Sequence, residues 1–153
     1  MKETTPTNKI DQNIFDIERN FHGAKGLVFI GNKILVYRRD NNTKIFPLCI
    51  DLPGGGREEN ESPFDTFKRE TQEEFGIVIG KEDVRYAKKY QSVMDSTKES
   101  YFIVVKPSNI QEGDIVFGDE GLEFMLIDLA DYLNLDDAIE RHKNKVRDYL
   151  NSA

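Results

Sequence analysis

Pro53-Gly54-Gly55-Gly56 leads through an acidic stretch into Ser62-Pro63, and Gly76 closes the segment that follows. No other stretch of the chain restricts its fold as strongly. Proline withholds a ladder donor and glycines adopt backbone angles that other residues resist, so a strand is predicted to end here and a tight loop to begin. Ser62 is placed to cap a helix, with Pro63 at the first helical position and Asp65 three residues on as a short capping box. Gly76 supplies the C-terminal stop. Along this helix Phe64, Phe67 and Thr71 recur at three- and four-residue steps and form a buried stripe. The same spacing stacks Glu70, Glu73 and Glu74, so the expectation is a core face and a separate acidic face.

Three clustered carboxylates with no intervening base form a candidate site for hard divalent cations, which prefer oxygen ligands. The bland alternative is a solvated acidic face. A like-charge pair four apart on an exposed helix costs only about 0.2–0.5 kcal/mol, so energetics alone do not decide. Context strengthens the metal reading without deciding it, because the cluster follows a glycine-rich loop and shares its segment with Glu61 and Arg69.

Gly55, five residues, Glu61, seven residues, then Arg69-Glu70-Thr71-Gln72-Glu73-Glu74-Phe75-Gly76-Ile77 resembles the Nudix box, with every fixed position filled. Thr71 stands where an aliphatic residue is usual. The resemblance implies an α/β/α sandwich around a central mixed β-sheet. It also implies metal-dependent hydrolysis of a diphosphate linkage in a nucleoside diphosphate joined to another moiety. By resemblance Glu70, Glu73 and Glu74 hold Mg²⁺, with Mn²⁺ as the alternative; such ions polarise phosphoryl oxygens and acidify water. Arg69 is then expected to pair with Glu61 and orient these ligands, while Gly55 turns the loop and Gly76 supports it.

The general base is left between the box helix and a later loop, Gly118-Asp119-Glu120-Gly121, whose flanking glycines suggest mobility; Glu120 is preferred to Glu123. Arg38 and Arg39, with Gly55 and Gly56, are the candidates for substrate contact. Side chains alternate along a strand, so at most one of the two arginines is expected to reach the cleft. The substrate is left among nucleoside triphosphates, nucleotide sugars and dinucleoside polyphosphates. ADP-ribose is the alternative, disfavoured because no proline lies between the box and Pro107. Two further competitors are a non-catalytic nucleotide sensor, which commonly lacks box glutamates, and an isoprenoid diphosphate isomerase, for which only Cys49 is available as a catalytic cysteine.

The remaining sequence bounds the setting. A length of 153 residues fits one domain, read as residues 21–153 after an N-terminal tail or arm over 1–20. Net charge is −7, which disfavours long nucleic acid as a partner. Between Arg57 and Glu74, seven acids (Glu58, Glu59, Glu61, Asp65, Glu70, Glu73, Glu74) oppose three bases (Arg57, Lys68, Arg69), so that segment holds −4 of the −7. A polyanionic substrate would be repelled there unless cations intervene. The single Cys49 excludes an intrachain disulfide, and no apolar run suits a signal or membrane span, so a cytoplasmic protein is expected. A homodimer is left open.

Leu27–Ile30 and Ile34–Tyr37 around Gly31-Asn32 predict a hairpin of strands covered on both faces. Short strands are predicted at Cys49–Leu52, Val84–Val93, Tyr101–Val105 and Leu122–Ile127. Asp128 is expected to cap a short helix through Leu133, and Leu135, Ile139, His142, Val146 and Leu150 outline a closing amphipathic helix. Tyr37, Phe46, Tyr90 and Tyr101 are read as core before base-stacking platforms. Cys49 is read as a buried apolar residue, and His22 and His142 as structural.

Overall fold

The computed structural model describes residues 9–152. Its strands are β1 (Phe21–Ile30), β2 (Lys33–Arg39), β3 (Ile50–Asp51), β4 (Gly54–Gly56), β5 (Val84–Gln91), β6 (Glu99–Val105) and β7 (Gly121–Ile127). The helices are α1 (Pro63–Phe75), α2 (Leu129–Leu133) and α3 (Glu140–Asn151). β1 and β2 form the predicted antiparallel hairpin, turned by Gly31 at φ +64°. The seven strands form a mixed sheet ordered β3-β2-β1-β6-β5, with β4 paired to β1 and β7 to β2. β1 and β6 run parallel, and the other pairs run antiparallel.

Strand periodicity explains why both faces of this sheet are covered. Along β1, Ala24, Val28 and Ile30 face one core while Leu27 and Phe29 face the other. β6 repeats the division, with Tyr101, Ile103 and Val105 alternating with Phe102 and Val104. α1 closes the first core through Phe64, Phe67 and Phe75, and α2 and α3 close the second through Tyr132, Val146 and Tyr149. Each such side chain contributes about 1.5–3 kcal/mol when fully buried, so the two layers stabilise the sheet jointly. The outcome is the expected α/β/α sandwich.

α1 starts and stops as its sequence predicts. Ser62 Oγ accepts from the Asp65 amide at 3.1 Å, the Asp65 carboxylate accepts from the Ser62 amide at 3.1 Å, and Gly76 ends the helix at φ +70°. The glycine run does more than turn. Gly54–Gly56 pair with Gly23–Lys25 of β1, and a Cβ at Gly54 would lie 2.2 Å from the Ala24 carbonyl oxygen. Missing side chains here permit two backbones to approach, which the sequence signal for a turn does not distinguish.

Three other expectations change in detail. Asp128 makes no capping bond and instead pairs with Lys33 Nζ at 3.1 Å. α3 begins only after Ile139, and Leu150 is half exposed while Lys143 is buried and donates to the Leu135 carbonyl. In the segment read as an arm, Ile10 bridges to Ala87, Ile14 is fully buried, and Phe15 packs on Phe64 with ring centroids 5.5 Å apart. The expectation for residues 1–8 lies outside the described residues. Among the described residues no helix is long and apolar enough to cross a membrane.

Candidate active site

Because β4 lies against α1, the first carboxylate of the site is buried. Glu74 is 5% exposed, and its Oε1 accepts from the Gly54 amide at 3.2 Å. Burial pushes its carboxyl up to about 8; Lys25 and the Gly54 N–H oppose this, while Glu70 and Asp51 add to it. Glu70, one turn earlier and partly buried, is also raised by burial against the pull of Arg69. Glu120 completes the group from the bend before β7, and carboxylate oxygens of Glu70, Glu74 and Glu120 lie within 4.8 Å of one another. Three acids this close, one of them desolvated, are unfavourable as bare charges and suit a hard cation as oxygen donors. The donor set therefore fits Mg²⁺ or Mn²⁺.

The acidic side of α1 is not a separate face. Glu74 turns into the protein, whereas Glu73 points outward, about half exposed, and is held by Arg69 Nη1 at 3.2 Å. Neighbouring helical residues are rotated by roughly 100°, so Glu73 leaves α1 in a different direction from Glu74. Glu73 consequently stands outside the close trio, and Glu120 takes the third place. The loop carrying Glu120 is also pinned where flanking glycines suggested freedom. Gly118 donates to the Glu74 carbonyl at 2.8 Å, and a Cβ there would meet the Glu73 carbonyl oxygen at 2.7 Å.

Arg69 organises the outer part of the site. Its Nε reaches Glu61 Oε2 at 2.6 Å, Nη2 reaches Glu61 Oε1 at 3.2 Å and the Gly56 carbonyl at 2.8 Å, and Nη1 reaches Glu70 at 3.2 Å. This two-pronged contact uses the rigid guanidinium fork. Hydrogen bonding to Glu61 raises the Arg69 pKa. Burial works against the Glu61 charge, but Arg69 and the Glu58 amide outweigh it and lower that carboxyl. Glu61 and Arg69 thus hold Glu70 and the β4 loop in register. A Cβ on Gly55 would fall 2.5 Å from the Glu70 carboxyl carbon. Gly55→Ala is therefore expected to keep the fold but displace Glu70, weakening Mg²⁺ binding about 10–100-fold by calorimetry.

The trio opens onto a cavity of about 400 Å³ that is also lined by basic side chains, Lys25, Arg39, Arg141 and Lys145 among them. Of the two candidate arginines, strand alternation admits only Arg39. Arg38 is not brought to the cavity, since it is taken up by Asp137 at 2.8 Å and Glu123 at 3.2 Å on the outer surface. Glu123, paired with Arg38, is not among the residues that line the cavity, whereas Glu120 is. Gly55 and Gly56 line the cavity, as does Phe46 at φ +51°. Tyr37 and Tyr101 are buried core residues that also touch the cavity. Cys49 is only partly buried.

Sequence reasoning missed the residue at the floor of this cavity. Asp51 is 1% exposed; its Oδ2 accepts from Arg39 at 2.8 Å, Lys25 at 3.3 Å and the Tyr37 hydroxyl at 3.3 Å. Its Oδ1 accepts from the Leu52 amide at 2.7 Å and meets His142 Nε2 at 3.3 Å. Burial opposes its charge, yet Lys25 and the hydrogen bonds hold its carboxyl well below the usual carboxylate range. Burial lowers the His142 pKa more than Asp51 raises it, so this ring is neutral near pH 7 and the contact is a hydrogen bond. The available signal was an acid inside the apolar run Cys49-Ile50-Asp51-Leu52.

Solved structures share this architecture. The MutT protein from Methanosarcina mazei Go1 superposes with a TM-score of 0.66 at 22% identity, covering 89% of this chain and 99% of that one. A bifunctional NMN adenylyltransferase/ADP ribose pyrophosphatase from Francisella tularensis, complexed with AMP and a Mn ion, gives 0.70 at 22% identity, over 87% of this chain and 42% of that one. An Ap4A hydrolase from C. elegans gives 0.61 at 18% identity, over 86% and 99%. No curated protein matches the chain. The NUDIX domain model matches residues 20–149. With that match spanning most of its length, the chain belongs to the Nudix family.

Proposed function

We propose that the protein is a Mg²⁺-dependent hydrolase, able to use Mn²⁺, that cleaves a phosphoanhydride in a nucleoside diphosphate linked to another moiety. The supporting observation is the trio of Glu70, Glu74 and Glu120 within 4.8 Å at the mouth of a cavity that also carries Lys25 and Arg39. Glu70, Glu74 and Glu120 would hold the cation, which when bound polarises the phosphoryl oxygens and lowers the pKa of water. Arg69 and Glu61 position Glu70. Glu73, pinned by Arg69, supplies negative charge at the rim. Gly55 and Gly56 leave the backbone beside the trio open to substrate. Arg39 presents a fixed positive charge on the cavity wall, steadied by Asp51. A carboxylate in this trio also accepts a proton from the attacking water; the exposed Glu120 is the member best placed to pass it to solvent.

The ADP ribose pyrophosphatase and the Ap4A hydrolase differ in the nucleotide each is named for, so substrate identity calls for direct measurement. Nucleoside triphosphates, nucleotide sugars, dinucleoside polyphosphates and ADP-ribose, each with Mg²⁺ or Mn²⁺, should be assayed for phosphate and pyrophosphate separately. Turnover of at least one phosphoanhydride is expected, abolished by chelation and restored by the metal. A folded, metal-binding protein that cleaves none of the four classes would refute the proposal.

A further inference from the structure

α3 carries Arg141, Lys143, Lys145 and Arg147, and these four cations occupy two kinds of surroundings. Lys143 and Arg147 reach Glu140 at 3.9 Å and 3.1 Å. Arg141 and Lys145 are four residues apart, on one helical face, and both line the cavity. Among the described residues neither pairs with an acid. Each instead rests over an aromatic ring, Arg141 at 5.0 Å from the Phe46 centroid and Lys145 at 5.0 Å from that of Tyr90. Asp51 does not neutralise them, because its oxygens are occupied by Arg39, Lys25, Tyr37, His142 and the Leu52 amide. Partial burial, together with the charges of Arg141 and Lys25, pushes the Lys145 ammonium down to about 8. Positive charge without an acidic partner therefore gathers where α3 lines the cavity that also holds Glu70, Glu74 and Glu120.

A cation at Glu70, Glu74 and Glu120 neutralises only the phosphates that it touches. We propose that Arg141 and Lys145 form a second anion subsite, which binds a further phosphate of the substrate beyond the diphosphate held at the carboxylates. This rests on the hydrolase reading above and narrows it to substrates with three or more phosphates in a chain, over those whose diphosphate ends on a neutral sugar. The rim fits such a ligand. Phe46, Val93 and Met94 line the same cavity, the last two largely exposed, and offer an apolar surface to a base.

The test combines binding and kinetics on the full chain. Calorimetry without metal uses inorganic tripolyphosphate, which the bare carboxylates repel, so that binding reports the basic residues. Wild type is expected to bind it, Arg141→Gln/Lys145→Gln to bind about 10–100-fold more weakly, and Lys145→Arg to retain binding. With Mg²⁺, the double variant should raise KM for a nucleoside triphosphate by about the same factor, while KM for a nucleotide sugar stays within about twofold. Equal effects on both substrates, or tripolyphosphate binding unchanged in a variant with a wild-type circular dichroism spectrum, would overturn the subsite. Metal-free binding lost in the double variant, alongside no turnover of any substrate by wild type, would uphold the subsite and remove the hydrolase reading instead.

Discussion

Glu74→Gln is expected to lower kcat on the order of 10³-fold while the protein stays folded. A bound cation supplies several kcal/mol of charge stabilisation to phosphoryl transfer, and each 1.36 kcal/mol is a factor of ten in rate. The same substitution should stabilise the metal-free protein. In the unfolded chain Glu74 loses its proton near the ordinary value of 4.5, whereas in the fold burial keeps it protonated up to about 8. Between these values the native state binds more protons, so native stability falls as pH rises and levels off above about 8. The full effect is on the order of 5 kcal/mol, and glutamine, which never ionises, escapes it. Urea midpoints without metal should therefore favour the variant by a margin that widens from about pH 5 to about pH 8. Adding Mg²⁺ should close the gap, because only wild type gains from the ligand. A variant less stable than wild type at about pH 8 without metal would refute the burial argument, whatever its activity.

Asp51→Asn should have the opposite signature. Removing one partner of a buried ion pair typically costs about 3–5 kcal/mol. Lys25 and Arg39 keep about a quarter of their side chains exposed and can turn partly to water, which reduces the expectation to about 2–4 kcal/mol. In a domain of this size that lowers Tm by roughly 5–15 °C. The Asp51 carboxyl is held below its unfolded value, so its stabilisation is present above about pH 4 and lost only as pH falls through the lower native value. The deficit of Asp51→Asn should accordingly be flat from about pH 5 to about pH 8, where that of Glu74 varies. Thermal melts across this range check it; an unchanged Tm would mean that Asp51 is not the keystone of the cavity floor.

What could be read in advance was local. The α1 boundaries follow from Ser62, Pro63, Asp65 and Gly76, whose conformational preferences act within one turn. The β1–β2 hairpin follows from Gly31 and the apolar runs beside it. The Arg69–Glu61 pair and the membership of Glu70 and Glu74 in one site came from the box resemblance, and the geometry places each within reach of the other. Less could be read where a side chain's role depends on what another element brings to it. Glu73 and Glu74 are adjacent acids in sequence, and only the packing of β4 against α1 buries one and leaves the other at the rim. Arg38 and Arg39 are adjacent bases, separated by strand alternation and by Asp137, far along the chain.

The sequence by itself determined the helix, its caps, the alternation that covers both faces of the sheet, and an acidic segment in need of cations. These depend on short-range sterics and on periodicity, which neighbouring residues carry. Tertiary structure alone decided that Glu120 joins Glu70 and Glu74, that Asp51 is buried among Lys25, Arg39 and His142, and that Arg141 and Lys145 line the same cavity as the carboxylates. Burial and Coulomb interactions act through space between elements distant in the chain, and no local pattern encodes those distances.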